Sequence, residues 1–172
     1  GFVRVAAAFV NDGNYAIDDA RHAEDSYTIA CEAMDDFDKA EALLNRALEV
    51  LPNKKIDYTY ENTYSYIQTY YTLATSRMVL AIEEYTRAIE MLNEALGMSR
   101  TVDSSYDDIE YLDNASITYK ELLSTAEHRG LNAENSPLYS QAVKHGDNAI
   151  SLTEAYEATF VRGDKLAAEY IA

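Results

Sequence analysis

Residues 60–95 read YENTYSYIQTYYTLATSRMVLAIEEYTRAIEMLNEA, and this stretch decides the fold class. Its apolar and aromatic residues recur at alternating steps of four and three, which is the repeat of a helix that packs lengthwise against other helices. At 1.5 Å per residue such a helix is about 54 Å long, well beyond the average for globular proteins. The repeat comprises Tyr60, Tyr64, Ile67, Tyr71, Ala74, Met78, Ala81, Tyr85, Ala88, Leu92 and Ala95.

Boundary signals divide the chain into four helices. Pro52 cannot continue a helix, and a glycine follows the last periodic residue at Gly97 and Gly130. Ser136-Pro137 is an N-cap followed by proline at the first helical position. Short links favour antiparallel neighbours, so we predict an all-α chain folded as an elongated antiparallel up-down-up-down four-helix bundle with heptad-type packing. We expect one domain, 1–172, with helices at approximately 14–51, 57–97, 104–129 and 137–171.

The other predicted helices carry the same repeat on one face. In the first helix it passes through Ala23, Ser26, Ala30, Ala33, Phe37, Ala40, Leu44, Ala47 and Leu51. In the third helix it passes through Ile109, Leu112, Ser116, Tyr119, Leu123 and Ala126.

The start of the first helix has two candidates. Asn11-Asp12-Gly13-Asn14 is a turn signal, which places the start at residue 14. The apolar residues before it keep the phase of the first helix, which places the start at residue 2 instead. These residues are Phe2, Val5 and Phe9, with Ala16 after the turn signal.

The chain is strongly acidic, with thirty Asp and Glu against fourteen Lys and Arg and a net charge of -16. Such a surface repels phosphate backbones and anionic lipid heads, so we expect no nucleic-acid partner. No run approaches the roughly eighteen apolar residues of a membrane-spanning helix, so we expect no direct membrane insertion of this segment. The apolar start without an initiator Met fits either a mature form from which a signal or anchor was removed or an ordinary amphipathic first turn. The location stays open, with an extracytoplasmic one favoured.

Motifs that carry chemistry are missing from the sequence. The three histidines, His22, His128 and His145, lie on different predicted helices, and none belongs to the Glu-x-x-His or His-x-x-x-His pairs of metal sites in bundles. Asp19 precedes His22 by one helical turn, but this pair has no counterpart. Adjacent acids such as Glu83-Glu84 point in different directions on a helix, so we expect them on solvated faces or beside helix dipoles. We predict that the chain is not an enzyme and has no catalytic residue, cofactor or metal site.

His145 lies on the predicted seam of the last helix. A histidine at such a position is expected to be a core residue whose ring nitrogen is satisfied by a nearby tyrosine or carboxylate. We therefore assign it no ligand-binding role.

Tyrosine is the unusual residue of this chain, with fifteen copies and no Trp. Its ring buries a large area while its hydroxyl keeps a polar contact, which suits interfaces and wet pockets as well as a tyrosine-lined core. Both interpretations stay open for the cluster of Tyr58, Tyr60, Tyr64, Tyr66, Tyr70 and Tyr71.

Helix lengths predict where a partner binds. The short third helix, running antiparallel to the second, reaches back only to about residue 73, so residues 39–71 should project as a two-helix extension. A lone pair with that much apolar surface needs cover from a protein partner or from self-association through the 39–71 hairpin tip. Alternatively, the link 130–136 and a tilted last helix fold over it. The predicted interaction surface comprises Tyr58, Tyr60, Tyr64, Tyr66, Tyr70, Leu44, Leu48 and Leu51.

One hairpin, residues 24–52, resembles a tetratricopeptide repeat. The small, bulky, small and proline positions of that repeat's second helix are matched by Ala40, Leu44, Ala47 and Pro52. Glu24 and Thr28 depart from the family pattern, which has a large aromatic and a small residue there. The resemblance implies a scaffold of stacked hairpins, and such a scaffold needs a break in the middle of residues 58–97.

Two classes of function fit these observations. The first is a non-enzymatic helical interaction domain, such as the extracytoplasmic part of a surface or membrane-associated protein. The second is a ligand-sensing bundle, similar in outline only to the periplasmic sensor domains of chemoreceptors. A tetratricopeptide-like scaffold is a further alternative. A closed, dry seam would favour interaction, whereas an enclosed polar cavity between the predicted second and fourth helices would favour ligand sensing.

Overall fold

The computed structural model describes residues 2–22, 26–50, 60–103 and 107–171. Five helices and no strand are found in these ranges, which confirms the all-α class. The predicted count of four helices is wrong. The helices are α1 Phe2–His22, α2 Ser26–Val50, α3 Tyr60–Leu96, α4 Asp108–His128 and α5 Pro137–Ile171.

The predicted first helix is in fact two helices, α1 and α2. They pack side by side in opposite directions, with the Lys39 Nζ atom 5.5 Å from the centroid of the Phe9 ring. Further along, Gly13 is buried inside α1, and a β-carbon at that position would overlap the ring of Phe37 in α2. Gly13 therefore allows close packing and does not make the predicted turn.

The buried positions of α1 are shifted by one residue from the positions that the heptad repeat predicts. Phe2 and Val5 are exposed, while the face that contacts α2 is made of smaller residues. The face predicted for α2 is confirmed at Ala30, Ala33, Phe37, Ala40, Leu44 and Ala47, all of which are buried. The buried residues of α1 are Ala6, Val10, Gly13, Ile17 and Ala20.

Glycine ends α3 and α4 as predicted. Gly97 has φ 65° and Gly130 has φ 80°, a backbone conformation that costs glycine little. The residue after each glycine donates its N–H back to the last turn, Met98 to the Asn93 carbonyl at 2.9 Å and Leu131 to the Ala126 carbonyl at 3.0 Å. These bonds satisfy carbonyls that a helix end would otherwise leave open.

Side-chain caps start α4 and α5. The Ser136 hydroxyl accepts the Tyr139 N–H at 3.2 Å, and Pro137 is the first residue of α5, as predicted. α4 begins at Asp108 rather than near residue 104, because the Asp107 carboxylate accepts the Ile109 N–H at 3.0 Å. The predicted start of the second helix, at residue 57, lies outside the described residues.

The chain forms two compact units. The first unit contains α1, α2, α3 up to Arg77 and α5 from Glu154, and the second contains α3 from Met78, α4 and α5 up to Thr153. The single-domain prediction stays a prediction.

In the first unit α3 runs in the opposite direction to α2 and to α5. Between α2 and α3, Asn45 bonds Tyr70 while the earlier Asp38 bonds the later Arg77. Between α3 and α5, Tyr71 bonds Asp164 while Arg77 bonds the earlier Thr159. Positions advance along one helix as they retreat along the other in both pairs.

In the second unit α3 and α4 run in the same direction, so the predicted antiparallel arrangement is wrong there. Tyr85 contacts Tyr119, and later in both helices the Leu96 carbonyl accepts a bond from Arg129 at 3.2 Å. The parallel arrangement is possible because the link after Gly97 runs from the end of α3 back towards the start of α4. Arg100 of the link bonds Asn93 of α3, and the Asp103 carbonyl accepts a bond from Asn114 near the start of α4.

Burial along α3 and α4 differs in part from the predicted seams. In α3, Tyr71 and Ala95 are only half-buried, and buried residues occupy additional faces, among them Tyr70, Leu73 and Leu80. α3 also continues without the break that a tetratricopeptide array requires. In α4, Ile109 is exposed. The buried residues of α4 are Leu112, Ala115, Thr118, Tyr119, Leu122 and Ala126.

Candidate ligand-binding cleft

Half of the predicted interaction surface can be placed. Leu44 and Tyr70 are buried in the first unit, and Leu48 and Tyr66 are half-buried. The second half of α5 covers α3 here, because Gly163 brings its backbone against the side chains of Tyr70 and Tyr71. The predicted bare extension is therefore wrong at Leu44 and Tyr70. Tyr58 and Leu51 lie outside the described residues, as do the side chains of Tyr60 and Tyr64.

The centre of the first unit holds a buried arginine. The Arg77 side chain is 3% exposed, and its guanidinium reaches both α2 and α5. Nη1 donates to Glu41 Oε2 and, at 2.5 Å, to the Thr159 hydroxyl, while Nη2 donates to Asp38 Oδ1 at 3.0 Å. The Thr159 hydroxyl in turn donates to Glu41 Oε2 at 3.2 Å. A buried charge is tolerated when it is paired and hydrogen-bonded in this way.

The two carboxylates differ in their access to solvent. The Asp38 side chain is 73% exposed, whereas that of Glu41 is 29% exposed. Each bonds Arg77 through a single oxygen. Glu41 Oε1 and Asp38 Oδ2 have no hydrogen-bond donor among the described residues, so each keeps free acceptor capacity.

An open cleft of about 310 Å³ lies in front of this arginine. The volume is at the lower end of the range for small-molecule sites, about 300–1,000 Å³. Alanines from α2 and α5 form its apolar wall, and their short side chains leave the space open. We call this feature the Arg77 cleft, lined by Asp38, Glu41, Ala42, Asn45, Arg77, Ala155 and Ala158.

Asn45 is held in place at the edge of the Arg77 cleft. Its Oδ1 accepts the hydroxyl of Tyr70 at 3.0 Å. Burial raises the pKa of Tyr70; the nearby charge of Arg162 opposes this effect and the Glu41 charge adds to it, and the hydroxyl donates to Asn45 in its neutral form. The Asn45 amide nitrogen has no partner within the described ranges and retains its two donors.

The residues of the Arg77 cleft were missed by the sequence interpretation, although one signal was present. Arg77 is a charged residue in a stretch of sequence that places apolar residues on several faces of a helix, such as Leu73, Ala74 and Leu80. A charge on a helix that is apolar nearly all round is expected to be buried and paired.

A second buried pair of ionisable side chains lies in the second unit. His145 Nδ1 and Glu84 Oε2 are 2.5 Å apart, and both side chains are buried. This confirms the prediction that His145 is a core histidine satisfied by a carboxylate. It corrects the expectation for Glu84, which is not on a solvated face.

An aromatic cluster in the first unit reaches the surface. The ring centroids of Tyr71 and Phe160 are 5.6 Å apart, and those of Tyr156 and Phe160 are 6.1 Å apart. Phe160 is 40% exposed and the adjacent Val161 64%. A hydrogen bond of 2.6 Å to Asp164 raises the pKa of Tyr71 and holds its hydroxyl in place. We call Tyr71, Tyr156, Phe160 and Val161 the aromatic patch.

Comparison with known proteins gives no family. No protein-family model, curated protein or solved structure matches the chain. Within the described ranges, no three His, Cys, Asp or Glu side chains are grouped so that they could hold a metal ion. None of the described helices is long and apolar enough to span a bilayer.

Proposed function

We propose that this chain is a non-enzymatic helical domain that binds a small molecule in the Arg77 cleft. The supporting observation is the buried Arg77 beside an open cleft in which two carboxylates keep unused acceptor oxygens. The cleft is open, lies between α2, α3 and α5, and combines these charged groups with an apolar wall of alanines, a combination typical of small-molecule sites.

A cleft-filling variant tests this proposal. Ala155 lines the Arg77 cleft and is only half-buried, so Ala155→Leu should fill the cleft without crowding the core. Ala168→Leu adds the same side chain at an exposed position of α5 and serves as the matched control. Binding of a panel of small molecules would be followed by ¹⁵N–¹H NMR shifts.

Shifts should appear at residues 38–45, 77 and 155–158 in the wild type and in Ala168→Leu, and should be lost in Ala155→Leu. A panel that produces no shift at these positions, or shifts that survive Ala155→Leu, would show that the cleft is not a binding site.

A second candidate function is protein recognition through the aromatic patch. Aromatic side chains are enriched at the centres of protein interfaces, and an exposed Phe160 beside an exposed Val161 is such a feature. The partner would be a second copy of the chain or a different protein. Contact with a protein partner or self-association through the hairpin tip, residues 39–71, also stays a prediction.

Sedimentation velocity tests the self-association form of this candidate. The wild type should sediment faster as its concentration rises, and Phe160→Ser combined with Val161→Ser should abolish the effect while leaving the helical circular dichroism unchanged. A wild type that remains monomeric at every concentration would exclude a second copy as the partner.

A further inference from the structure

The charge of the Arg77 cleft indicates which small molecules it takes. Two carboxylates face one guanidinium, which leaves an excess of one negative charge. The guanidinium is buried and already donates to Asp38, Glu41 and Thr159. The net charge of -16 on the whole chain adds a long-range attraction for cations. An anionic ligand would meet repulsion from both carboxylates before it reached the arginine.

The atoms that remain available point to the same class of ligand. Glu41 Oε1 and Asp38 Oδ2 are acceptors without a donor among the described residues, and charge-assisted bonds to such oxygens are the strong ones. A primary ammonium group carries three N–H donors, enough for more than one carboxylate acceptor.

A divalent metal ion fits the cleft poorly. Ca²⁺ takes six to eight oxygen ligands and Mg²⁺ an octahedral set. The cleft offers two open carboxylate oxygens beside a fixed positive guanidinium, which repels a divalent ion.

The apolar wall defines the rest of the ligand. Ala42, Ala155 and Ala158 present methyl groups, against which a short aliphatic chain can pack. At ~30 Å³ for each water-sized group, the volume of the cleft corresponds to roughly ten non-hydrogen atoms.

We infer that the Arg77 cleft binds a short aliphatic primary amine as its ammonium ion, with the ammonium between Asp38 and Glu41 and the chain against the alanine wall. This inference rests on the proposed function and adds the chemical class of the ligand. Arg77 holds the two carboxylates in place and serves as a positioning residue.

Three probes of similar size separate the possibilities: hexylamine, 1-hexanol and hexanoate, titrated near neutral pH at roughly 0.15 M sodium chloride, where the screening length is about 8 Å. Asp38→Asn removes one ammonium acceptor at an exposed position, so the fold is retained. Glu32→Gln removes the same charge at an exposed position of α2 outside the cleft and is the matched control.

Hexylamine should bind at least tenfold more tightly than the alcohol and the carboxylate. Asp38→Asn should weaken its binding about tenfold, and Glu32→Gln less than twofold. Equal effects of the two substitutions would reveal non-specific attraction to an acidic surface and overturn the inference. Tighter binding of 1-hexanol or hexanoate, if lost in Ala155→Leu, would also overturn it but leave the proposed function standing. Binding of none of the probes would overturn the inference, and a wider panel that also failed to bind would remove the proposed function.

Discussion

The ring of Tyr119 occupies the place where a β-carbon on Gly146 would stand. The tyrosine projects from α4 onto the backbone of α5, and its ring centroid is 5.6 Å from that of Tyr85 on α3. One aromatic side chain therefore joins three helices of the second unit. Glycine inside a helix costs about 0.5–1 kcal/mol relative to alanine, and here the contact with Tyr119 offsets that cost.

Gly146→Ala should destabilise the protein by about 1–3 kcal/mol in a urea melt, because the added methyl group displaces the buried ring. The control is the same substitution in a Tyr119→Leu background, where the space is already free. There the alanine should be neutral or should stabilise by up to about 1 kcal/mol. Equal effects in the two backgrounds would mean that the ring and the glycine are not coupled.

Alkaline pH should destabilise the second unit through Tyr119. Burial raises the pKa of Tyr119 from 10.0 to about 12, and the negative charge of Asp147 adds to the effect. The folded chain therefore prefers the neutral phenol. This contribution to stability is fully present below a pH of about 10 and is lost as the pH rises through about 12.

Urea melts between a pH of about 10 and a pH of about 12 measure the loss of stability, and the absorbance of the tyrosinate ion follows the ionisation of the tyrosines. Tyr119→Phe should lose less stability over this interval than the wild type, because phenylalanine has no proton to release. Tyr15→Phe alters an exposed side chain and should follow the wild type. A wild type and Tyr119→Phe with parallel pH profiles would contradict the assignment.

The two acids beside Arg77 should contribute unequally to stability. Glu41→Gln should cost about 2–3 kcal/mol, because it leaves the buried guanidinium with one fewer compensating charge. Asp38→Asn should cost less than about 1 kcal/mol, since water screens this mostly exposed side chain. Urea denaturation of the two variants makes the comparison. A larger loss of unfolding free energy for Asp38→Asn than for Glu41→Gln would contradict this order and show that the Asp38 bond contributes more to holding Arg77.

Salt should stabilise the protein. With thirty acidic and fourteen basic residues, self-repulsion opposes the compact state at low ionic strength. Sodium chloride at roughly 0.5 M shortens the screening length to a few ångströms, so the melting temperature should rise. An unchanged melting temperature across that range would mean that the acids are too far apart to repel one another.

Features fixed by local chemistry could be predicted from the sequence. Gly97 and Gly130 end their helices because each adopts a positive φ. This backbone conformation is unfavourable for other residue types at any place in a protein. The buried face of α2 follows from a heptad repeat in which only one register is apolar. Ser136 and Pro137 mark the start of α5 for reasons that lie within a single helical turn.

Features that depend on neighbours could not be predicted. α4 contains two overlapping heptad registers, one through Ser116 and Leu123 and one through Ala115 and Leu122, and only the packed helices select the second. The sequence around Gly13 is typical of a turn, and only the contact with Phe37 shows that this glycine allows two helices to pack closely. The Arg77 cleft combines side chains from three helices that are far apart in the sequence, and no spacing rule connects them.

The backward course of the link after Gly97 affects the order in which the second unit assembles. α4 and α5 are joined by a short turn, so they can pack together soon after both are synthesised. α4 can pack beside α3 only after the link has run from the end of α3 back along that helix. Contacts between segments distant in sequence close more slowly than contacts across short turns. We therefore expect the hairpin of α4 and α5 to form first and then dock on α3, so that the helix synthesised earliest in this unit is the last to find its partners.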